Sequence, residues 1–572
     1  MNLKKMFVCA MGVAALGLGS CSSDEPGAGK NPSEESKGDL YARIQLYLPG
    51  ASRSATDDFD GNTNSDAGFE IGKTYENTVN NVTVVLATKA DGADVFTPVA
   101  VSTSSAVPAA GFDEKAPVFN IMFRQDDIRK SAGQDVYIFA YCNADGLFDI
   151  DTDFTASDFV DKVAVIASDA VNQGIWEHGN FLMANAPNIA IPSKKLPVED
   201  ELTTAYNTPA KALDLGTVDV ARVCSRFDFK QVNGNVYPVY DVNPDEDGNQ
   251  VHIADVKLLA MSPVNIAKEF FYLPRVSNDG TDNGWKLCGT EHRNNWVVSP
   301  NWDDKSAEQL GAGILAKYFR QSPAGSYEAY DYTQLDTFNG EDDDYQNWNG
   351  GEGFDKTGYK IWRYVTENTL PEIASQKKGV STGVVFKAEI CNPSEPALAA
   401  AMNAGKAVYS YNGTIYGDVV ALRKVAASVS ETNPLYKAYA RVFGENQLKK
   451  DENSDFVVAD ADLTDCTAAA NNGTFKIYRP DGAGHYCVYY LYRNRHNDNG
   501  NNNVMGAMEF GTVRNNIYKL AVNSITDFGH TADPDDDDDP EDPDDPDEDP
   551  KTYLKVSCRV VPWMVRINNI EF

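Results

Sequence analysis

Clusters of positive charge are missing from this sequence, although it is rich in charge of the other sign. Asp and Glu number 84 against 50 Lys and Arg, which gives the 572-residue chain a formal charge of -34. Binding to phosphate backbones requires clustered Lys and Arg, so we predict no nucleic-acid partner. A chain of this length is expected to form two or more domains, each with its own apolar core.

Residue patterns that carry metal or nucleophilic chemistry are also scarce. The six histidines show no HExxH motif or paired metal spacing, and we expect them on the surface or in loops. Besides Cys9 and Cys21, the cysteines are scattered without a CxxC pair, which indicates neither a zinc site nor a disulfide framework. Residues 379–383 match GxSxG, but a strand-like run follows where that motif requires a helix. We predict no enzyme activity, no metal site and no cofactor.

Long hydrophobic runs are absent as well, so no stretch reaches the eighteen apolar residues typical of a membrane-spanning helix. The apolar run at residues 6–18 is shorter and follows a basic start, as in an export signal. It ends in LGSC, which has the form of a bacterial lipobox with Cys21 as the lipidated residue. A plain secretory signal cut at the same place is the alternative. We assign residues 1–20 to a signal peptide and 21–53 to a lipidated propeptide.

The sequence does contain a series of short β-type runs separated by Asn, Asp, Gly and Pro. Their spacing favours antiparallel β-sandwiches. Helical patterns are short and peripheral, at residues 394–405, with Ser394 as the cap, and at residues 434–444. We predict one domain over residues 54–227 and a second over residues 228–531. The clearest β-type runs are residues 81–88, 117–123, 135–142, 384–390, 485–493 and 517–525.

An acidic tract, residues 533–550, follows the second predicted domain. It holds thirteen carboxylates and five prolines in eighteen residues. Mutual repulsion and the fixed φ of proline favour an extended polyproline II segment, which at about 3.1 Å per residue spans roughly 55 Å. We therefore predict that residues 532–551 are a spacer that carries residues 552–572 away from the body.

Two segments near the chain ends alternate apolar and polar residues, as strands with one buried face do. Pro562 is expected to bend the second of them toward another sheet. The apolar positions of the first segment are Leu40, Ala42, Ile44, Leu46 and Leu48. Those of the second are Leu554, Val556, Cys558 and Val560, followed on the other parity by Trp563, Val565 and Ile567.

A turn-prone stretch of small residues follows the first strand and contains a single basic residue, Arg53. Cleavage after Arg53 would make Ser54 the new N-terminus and would remove the lipid and the first strand together. The last strand of a neighbouring molecule could then fill the vacated groove by β-strand addition. Repeated head-to-tail contacts of this kind produce an open filament. In the alternative reading, both strands belong permanently to one monomer, and the alternation alone does not choose between the two.

These features, in this order, resemble the major fimbrial subunits, or fimbrillins, of Bacteroidia-type (type V) pili, particularly the short-fimbria stalk pilin type. The most specific motifs are VRNNIY, residues 513–518, and VVPW, residues 560–563. The resemblance implies an all-β fold with two transthyretin-like antiparallel β-sandwich domains, short peripheral helices and a C-terminal donor strand. It also implies lipidation at Cys21, cleavage between Arg53 and Ser54 by an arginine-specific protease, and polymerisation by donor-strand exchange.

The function that the resemblance implies is that of a structural stalk subunit in a surface fimbrium that supports adhesion. Expected partners are copies of the chain in a head-to-tail filament, anchor and tip subunits, the protease and, in the precursor, a lipid anchor. The precursor is expected at the outer membrane and the mature form outside the cell. The alternative is a monomeric surface lipoprotein that binds a glycan or a protein, or an anchor or tip subunit. Because the chain has both a cleavable leader and a final strand, a stalk role is favoured.

Overall fold

The structure is a computed structural model, and it describes the chain from residue 39 to residue 564 with gaps. The predicted sites at Cys21, Leu48, Arg53, Ser54, Val565 and Ile567 lie outside the described residues. The described residues are 39–47, 70–90, 95–104, 117–144, 159, 163–165, 176–177, 179–187, 190–241, 247–277, 286–288, 296–299, 319–320, 330–342, 357–370, 373–501, 503–539, 542, 544–548 and 554–564.

Strands account for most of the regular structure, as the sequence predicts. Each of the six β-type runs chosen above forms a strand, with ends that differ by at most two residues. In the first part of the chain the strands are β1 Asp39–Tyr47, β2 Glu70–Ile71, β3 Val82–Lys89, β4 Phe96–Ser104, β5 Val118–Arg124, β6 Asp135–Cys142, β7 Val163–Val165, β8 Trp176–Glu177, β9 Asn180–Phe181, β10 Met183–Asn185, β11 Ser193–Lys195 and β12 Leu213–Arg222.

The strands of the remaining chain include the longest ladders of the second core. They are β13 Cys224–Lys230, β14 Val236–Tyr240, β15 His252–Val264, β16 Ile266–Ala267, β17 Glu269–Phe271, β18 Arg275–Ser277, β19 Lys286–Leu287, β20 Trp296–Val298, β21 Phe319–Arg320, β22 Thr333–Gln334, β23 Glu341–Asp342, β24 Tyr359–Thr366, β25 Asn368–Thr369, β26 Gly383–Cys391, β27 Val408–Tyr411, β28 Thr414–Gly417, β29 Lys476–Tyr478, β30 Cys487–Arg493, β31 Gly511–Thr512, β32 Asn516–Ile525 and β33 Leu554–Met564.

The helices are short, and the two predicted ones are present. Gly444 ends one of them with a φ of 93°, a conformation that glycine adopts without strain. The other is capped by Glu395, whose carboxylate accepts from the Leu398 amide, and not by the predicted Ser394. Within the described ranges no helix is long and apolar enough to cross a bilayer. The α-helices are α1 Thr74–Asn77, α2 Gln125–Arg129, α3 Glu199–Thr204, α4 Pro396–Asn403, α5 Val419–Ala426, α6 Pro434–Phe443 and α7 Ala468–Asn471.

Three large sheets organise these strands. Their orders are β4-β3-β6-β10-β12-β1-β5, β2-β33-β32-β13-β24-β23 and β14-β15-β26-β30. Most pairs are antiparallel, as predicted, but β1 with β12, β13 with β32 and β2 with β33 are parallel. The expectation of purely antiparallel sheets is therefore wrong at these places, because side-chain alternation does not record the direction of a neighbouring strand.

Apolar side chains gather in two main clusters and a smaller third one. The first cluster includes β1 and draws mostly on residues before β13, whereas the second draws on β13 and later strands. The third packs α5 and α6 against β27 and β29. The predicted boundary between residues 227 and 228 lies inside β13, whose Phe227 already belongs to the second cluster, and the division into two domains stays a prediction.

Candidate assembly site at the two ends of the chain

The first strand is part of the first apolar core. β1 lies between β12 and β5 and hydrogen bonds to both. Leu40, Ala42, Ile44 and Leu46 are at most 1% exposed, whereas the residues between them are exposed or half-buried. Fully burying a large aliphatic side chain stabilises a fold by about 1.5–3 kcal/mol. β1 is therefore an integral strand of the core, as its alternation predicts.

The register of β1 is fixed on both sides. Against β12 the pairing shifts between Arg43 and Ile44, where Gly216 has a φ of 88°. On the other side the Leu46 amide donates to the Pro117 carbonyl at 2.9 Å. A bulge at a positive-φ glycine pins register, because sliding the strand by two residues would break the match. A strand that replaced β1 in the same direction would have to fit the same bulge.

The neighbouring edge strand β5 has a second attachment that does not involve β1. Ser102 Oγ of β4 donates to the Met122 carbonyl of β5 at 2.7 Å. Ser104 Oγ donates to the Asn120 carbonyl at 2.9 Å. Because these bonds hold β5 from its far side, removal of β1 would leave a slot between two retained strands.

The last strand, β33, is paired within its own chain. It runs antiparallel to β32 over nine residue pairs, from Leu554 opposite Ile525 to Pro562 opposite Asn516. Trp563 then pairs in parallel with Glu70 of β2. The strand therefore continues through Pro562, and the predicted bend becomes a change of partner at that residue. In the register of this ladder Cys558 is the partner of Leu520, and Val560 is the partner of Tyr518.

The two motifs that carry the family resemblance lie opposite each other in this ladder. Residues 560–562 pair with residues 516–518. Before β32 the chain turns at Asn515, which has a φ of 58°. Arg514 precedes the turn and is almost fully buried, with its guanidinium hydrogen bonded to both carboxylate oxygens of Glu367 at 2.8 and 2.9 Å. The VRNNIY motif thus supplies a buried ion pair, a turn and the first residues of β32.

A buried charge cluster lies at β2, next to the end of β33. Arg226 bonds to Glu70, to Glu76 at 3.1 Å and to Asp228 at 2.8 Å, and Lys519 bonds to Glu70 at 2.6 Å and to Asp228 at 3.1 Å. All five side chains are fully buried. Burial alone would lower the pKa of the Arg226 guanidinium, but the carboxylates raise it well above its usual value. Each member of the cluster thus has opposite charges beside it.

The first part of the acidic tract, residues 533–539, is docked on the body, and we call it the anchor. Asp536 accepts two hydrogen bonds from Arg479, at 2.5 and 3.1 Å. Asp537 contacts His530 at 3.0 Å and Lys476 at 3.5 Å. Although burial would raise it, the hydrogen bond to His530 and the nearby positive charges lower the pKa of Asp537 to about 2. Asp536 and Asp537 are both buried.

A second part of the tract, residues 544–548, contacts cations from two other segments of the chain. Glu548 accepts two hydrogen bonds from Arg495, at 2.9 and 3.0 Å. Asp547 lies 3.7 Å from Arg493 and accepts a hydrogen bond from Ser381 Oγ. Further ion pairs join Asp544 to Lys377 at 3.4 Å and Asp545 to Lys378 at 3.6 Å. Each of these four carboxylates therefore has a cation beside it, and this attraction offsets their mutual repulsion.

These contacts overturn the prediction of an extended spacer for the described part of residues 532–551. The sequence argument counted the repulsion among neighbouring carboxylates but not the cations of the body. Lys377 and Lys378 precede the tract by more than 150 residues, so composition within the tract gives no sign of them. β33 is accordingly held against its own chain and not carried away from it.

The structure also places two of the histidines and the serine of the GxSxG match. His496 and His530 are buried and not on the surface. His496 contacts the Tyr518 hydroxyl at 2.9 Å, and burial lowers its pKa to about 3. Ser381, the serine of the GxSxG match, donates a hydrogen bond to Asp547 in the acidic tract. Among the described residues no group of three or more His, Cys, Asp or Glu could hold a metal ion.

The cysteines mostly behave as small buried side chains. Cys142, Cys224, Cys288 and Cys466 are buried, and burial raises the pKa of the Cys288 thiol to about 12. Cys391 and Cys487 are half-buried, and all six are free thiols. A buried free cysteine packs as a small hydrophobic residue, and four of these six do so.

Comparison with known proteins relates the C-terminal part of the chain to a family. Residues 485–569 match the family model described as "Major fimbrial subunit protein type IV, Fimbrillin, C-terminal". This range contains β30 to β33, the anchor and residues 544–548. The comparison with curated proteins found no match.

Similar solved structures include the fimbrilin FimA of Porphyromonas gingivalis W83. The two chains are 15% identical, and the match covers 92% of this chain and 99% of the FimA chain, with a TM-score of 0.36. The tip fimbrial protein Mfa3 of Porphyromonas gingivalis is 9% identical. The match covers 92% of this chain and 100% of the Mfa3 chain, with a TM-score of 0.32. The fimbrial anchor protein Mfa2 of the same organism is 12% identical. The match covers 41% of this chain and 62% of the Mfa2 chain, with a TM-score of 0.20.

Proposed function

We propose that the chain is a structural stalk subunit of a surface fimbrium, on the premise that residues 485–569 match the C-terminal model of the fimbrillins. It is exported as a lipoprotein on Cys21, cut between Arg53 and Ser54 by an arginine-specific protease, and polymerised by donor-strand exchange. Its body consists of two transthyretin-like sandwiches. Anchor and tip subunits of the same fimbrium are its further partners.

The observation that carries this proposal is the position of β1. It is a core strand, paired on both sides, yet it lies on the N-terminal side of Arg53. Cleavage at Arg53 therefore separates a buried strand from the rest of the chain. A slot lined by apolar residues of the first core is unstable in water, which favours the entry of another strand of the same pattern.

The chain's own last segment has that pattern. In the proposed exchange, Leu554, Val556, Cys558 and Val560 take the places of Leu40, Ala42, Ile44 and Leu46 in a neighbouring subunit. All eight are apolar residues at alternate positions. One donor and one acceptor on each subunit then give an open head-to-tail filament.

Hydrogen bonding selects this register over the next one. With Leu554 at the place of Leu40, Val560 lies where Leu46 donates its amide to Pro117, and Val560 has the required amide. Sliding the strand by two residues would bring Pro562 to that place. Proline has no N–H, so the Pro117 carbonyl would lose its donor.

Controlled cleavage of the purified full-length chain tests the proposal. Trypsin at a low ratio should cut after Arg53 and produce ladders of higher mass. Arg53→Gln should block both events, and deletion of residues 552–572 should allow the cut but abolish the ladder. Persistent monomers after complete cleavage at Arg53 would contradict the proposal.

One observation favours a second candidate function. Because β33 pairs with β32 in its own chain, the chain could remain a monomeric surface lipoprotein that binds a glycan or a protein. An anchor subunit that keeps its leader would show the same arrangement. Under this candidate, deletion of residues 552–572 would destabilise the monomer, and cutting at Arg53 would not increase its mass.

A further inference from the structure

Residues 544–548 are attached to the body by their backbone as well as by their charges. The Lys378 amide donates to the Asp545 carbonyl at 3.0 Å, and the Asp547 amide donates to the Gln376 carbonyl at 3.1 Å. Lys377 and Pro546 form an isolated antiparallel bridge. Side-chain ion pairs flank this short ladder on both sides. The segment therefore has one defined position, which a loose attraction between an acidic chain and a basic surface would not give.

The position of this segment limits how far β33 can move. Glu548 precedes Leu554 by six residues, which span at most about 20 Å when fully extended. β33 itself has eleven residues and is about 35 Å long. While residues 544–548 are docked, this linker is shorter than β33. It therefore cannot carry the whole strand away from β32. If they are released, the free chain begins after Asp539 and its fifteen residues to Leu554 extend to about 50 Å.

We propose that residues 544–548 form an autoinhibitory clasp, which keeps β33 on β32 of its own chain and opens before β33 can reach another subunit. The anchor, residues 533–539, stays docked and marks where the released chain begins. The first half of this proposal concerns only the single chain. The second half, the gating of assembly, rests on the proposed fimbrial function.

The kind of contact in the clasp suits a device that opens. Asp544 and Asp545 are about half exposed, with side-chain exposures of 48% and 51%. Arg495 remains 20% exposed beside Glu548. When such pairs separate, water solvates both charges, and added salt screens their attraction. Apolar side chains gain no such compensation when they are exposed.

Hydrogen–deuterium exchange of the uncut, full-length chain tests the clasp directly. In the triple variant D545N/D547N/E548Q, amides of residues 554–564 should exchange at least about ten-fold faster than in the unmodified chain, because the strand opens more often. Raising NaCl from about 0.1 to 1 M, which shortens the screening length from about 10 to 3 Å, should speed exchange in the unmodified chain and have less effect in the variant.

Two controls separate the clasp from a general loss of stability. The variant E431Q/E452Q/D462N removes the same number of charges from exposed residues of another region and should leave exchange in β33 unchanged. Amides of β3 and β6 should keep their protection in both variants. The variant K377Q/K378Q, which changes the other side of the contact, should also speed exchange in β33.

Assembly after cleavage at Arg53 distinguishes failure of the clasp from failure of the proposed function. Faster exchange in β33 together with faster ladder formation supports both. Faster exchange without ladders in any variant supports the clasp and overturns the fimbrial proposal. Unchanged exchange in both clasp variants overturns the clasp, whether or not ladders form.

Discussion

The first strand and the C-terminal segment are attached to the same body by different forces. β1 is held by apolar burial and by hydrogen bonds to strands on both sides. The C-terminal segment is held by ion pairs along the acidic tract and by the β32–β33 ladder. Added salt does not screen apolar burial, whereas it weakens the half-exposed ion pairs of Asp544 and Asp545. In the proposed exchange, the end that is cut away is thus attached by apolar burial, and the end that moves is attached in part by ion pairs that salt can weaken.

The largest expected effect comes from the buried charge cluster beside β33. Arg226→Met removes one cation from contact with Glu70, Glu76 and Asp228. Because the remaining carboxylates would be buried with too little positive charge, we expect a loss of about 3–5 kcal/mol in the free energy of unfolding. Urea denaturation measures the loss.

The exposed Arg124 supplies the matched control for this change. Its side chain is 76% exposed and lies 3.9 Å from Asp127. Arg124→Met should cost less than about 1 kcal/mol. Equal losses for Arg226→Met and Arg124→Met would show that the cluster at β2 does not stabilise the fold.

The apolar attachment of β1 is tested by Ile44→Ala in the uncut chain. Ile44 is fully buried, and its truncation should lower the free energy of unfolding by about 2–5 kcal/mol because a cavity remains. Val556→Ala in the half-buried part of β33 should cost less than about 1.5 kcal/mol. If the losses measured by urea denaturation were equal, or in the reverse order, β1 would not be the more strongly attached end.

The anchor, residues 533–539, should make the stability of the fold depend on pH, which the apolar burial of β1 does not. The pKa of Asp537 is lowered to about 2, so its ionised form stabilises the fold above about pH 4 and this contribution is lost as the pH falls toward 2. Asp537→Asn should therefore cost up to about 2 kcal/mol at pH 7 and progressively less below pH 4.

Thermal denaturation from pH 7 to pH 2.5 measures this effect, with the exposed Asp462→Asn as its control. The difference in melting temperature between the unmodified chain and Asp537→Asn should shrink as the pH falls. The control should differ little from the unmodified chain at any pH. A deficit that persists undiminished at pH 2.5 would mean that the stabilisation does not come from the Asp537 carboxylate.

The smallest expected effect concerns the strand that borders the β1 slot. Ser102→Ala and Ser104→Ala each remove a hydroxyl that holds β5 on β4 and should cost about 0.5–1.5 kcal/mol. After cleavage at Arg53 the double variant should expose β5 amides to hydrogen exchange faster than Ser428→Ala does. Ser428 also bonds a backbone carbonyl, at 2.7 Å, but in another region. Equal exchange would show that β5 is kept in place by other contacts.

Local patterns predict the elements of this fold well. Residues 135–142 carry β-branched and aromatic side chains, and they form β6 with the predicted ends. Helix α6 was predictable from its proline start and glycine end. In the candidate site, the buried positions of β1 follow from period-two alternation, since that signal requires only neighbouring residues.

Contacts between distant residues account for what the sequence did not predict. The cations that hold residues 544–548 are distant in sequence, because Arg495, Arg493, Lys378 and Lys377 precede Asp547 by 52, 54, 169 and 170 positions. The parallel direction of β1 against β12 depends in the same way on a remote partner. The burial of His530 could have been suspected only from its position directly before the carboxylates of the anchor.

Disulfide trapping in two double variants, both with Cys558→Ala, tests the central claim most directly. In this structure Ser557 lies opposite Ala521 of its own chain, so S557C/A521C should cross-link within the uncut monomer. In the proposed register Ser557 takes the place of Arg43 opposite Asp214 of a neighbour. After cleavage at Arg53, S557C/D214C should therefore give cross-links between chains. Continued 521–557 cross-linking within monomers and no 214–557 cross-link after complete cleavage would contradict the exchange.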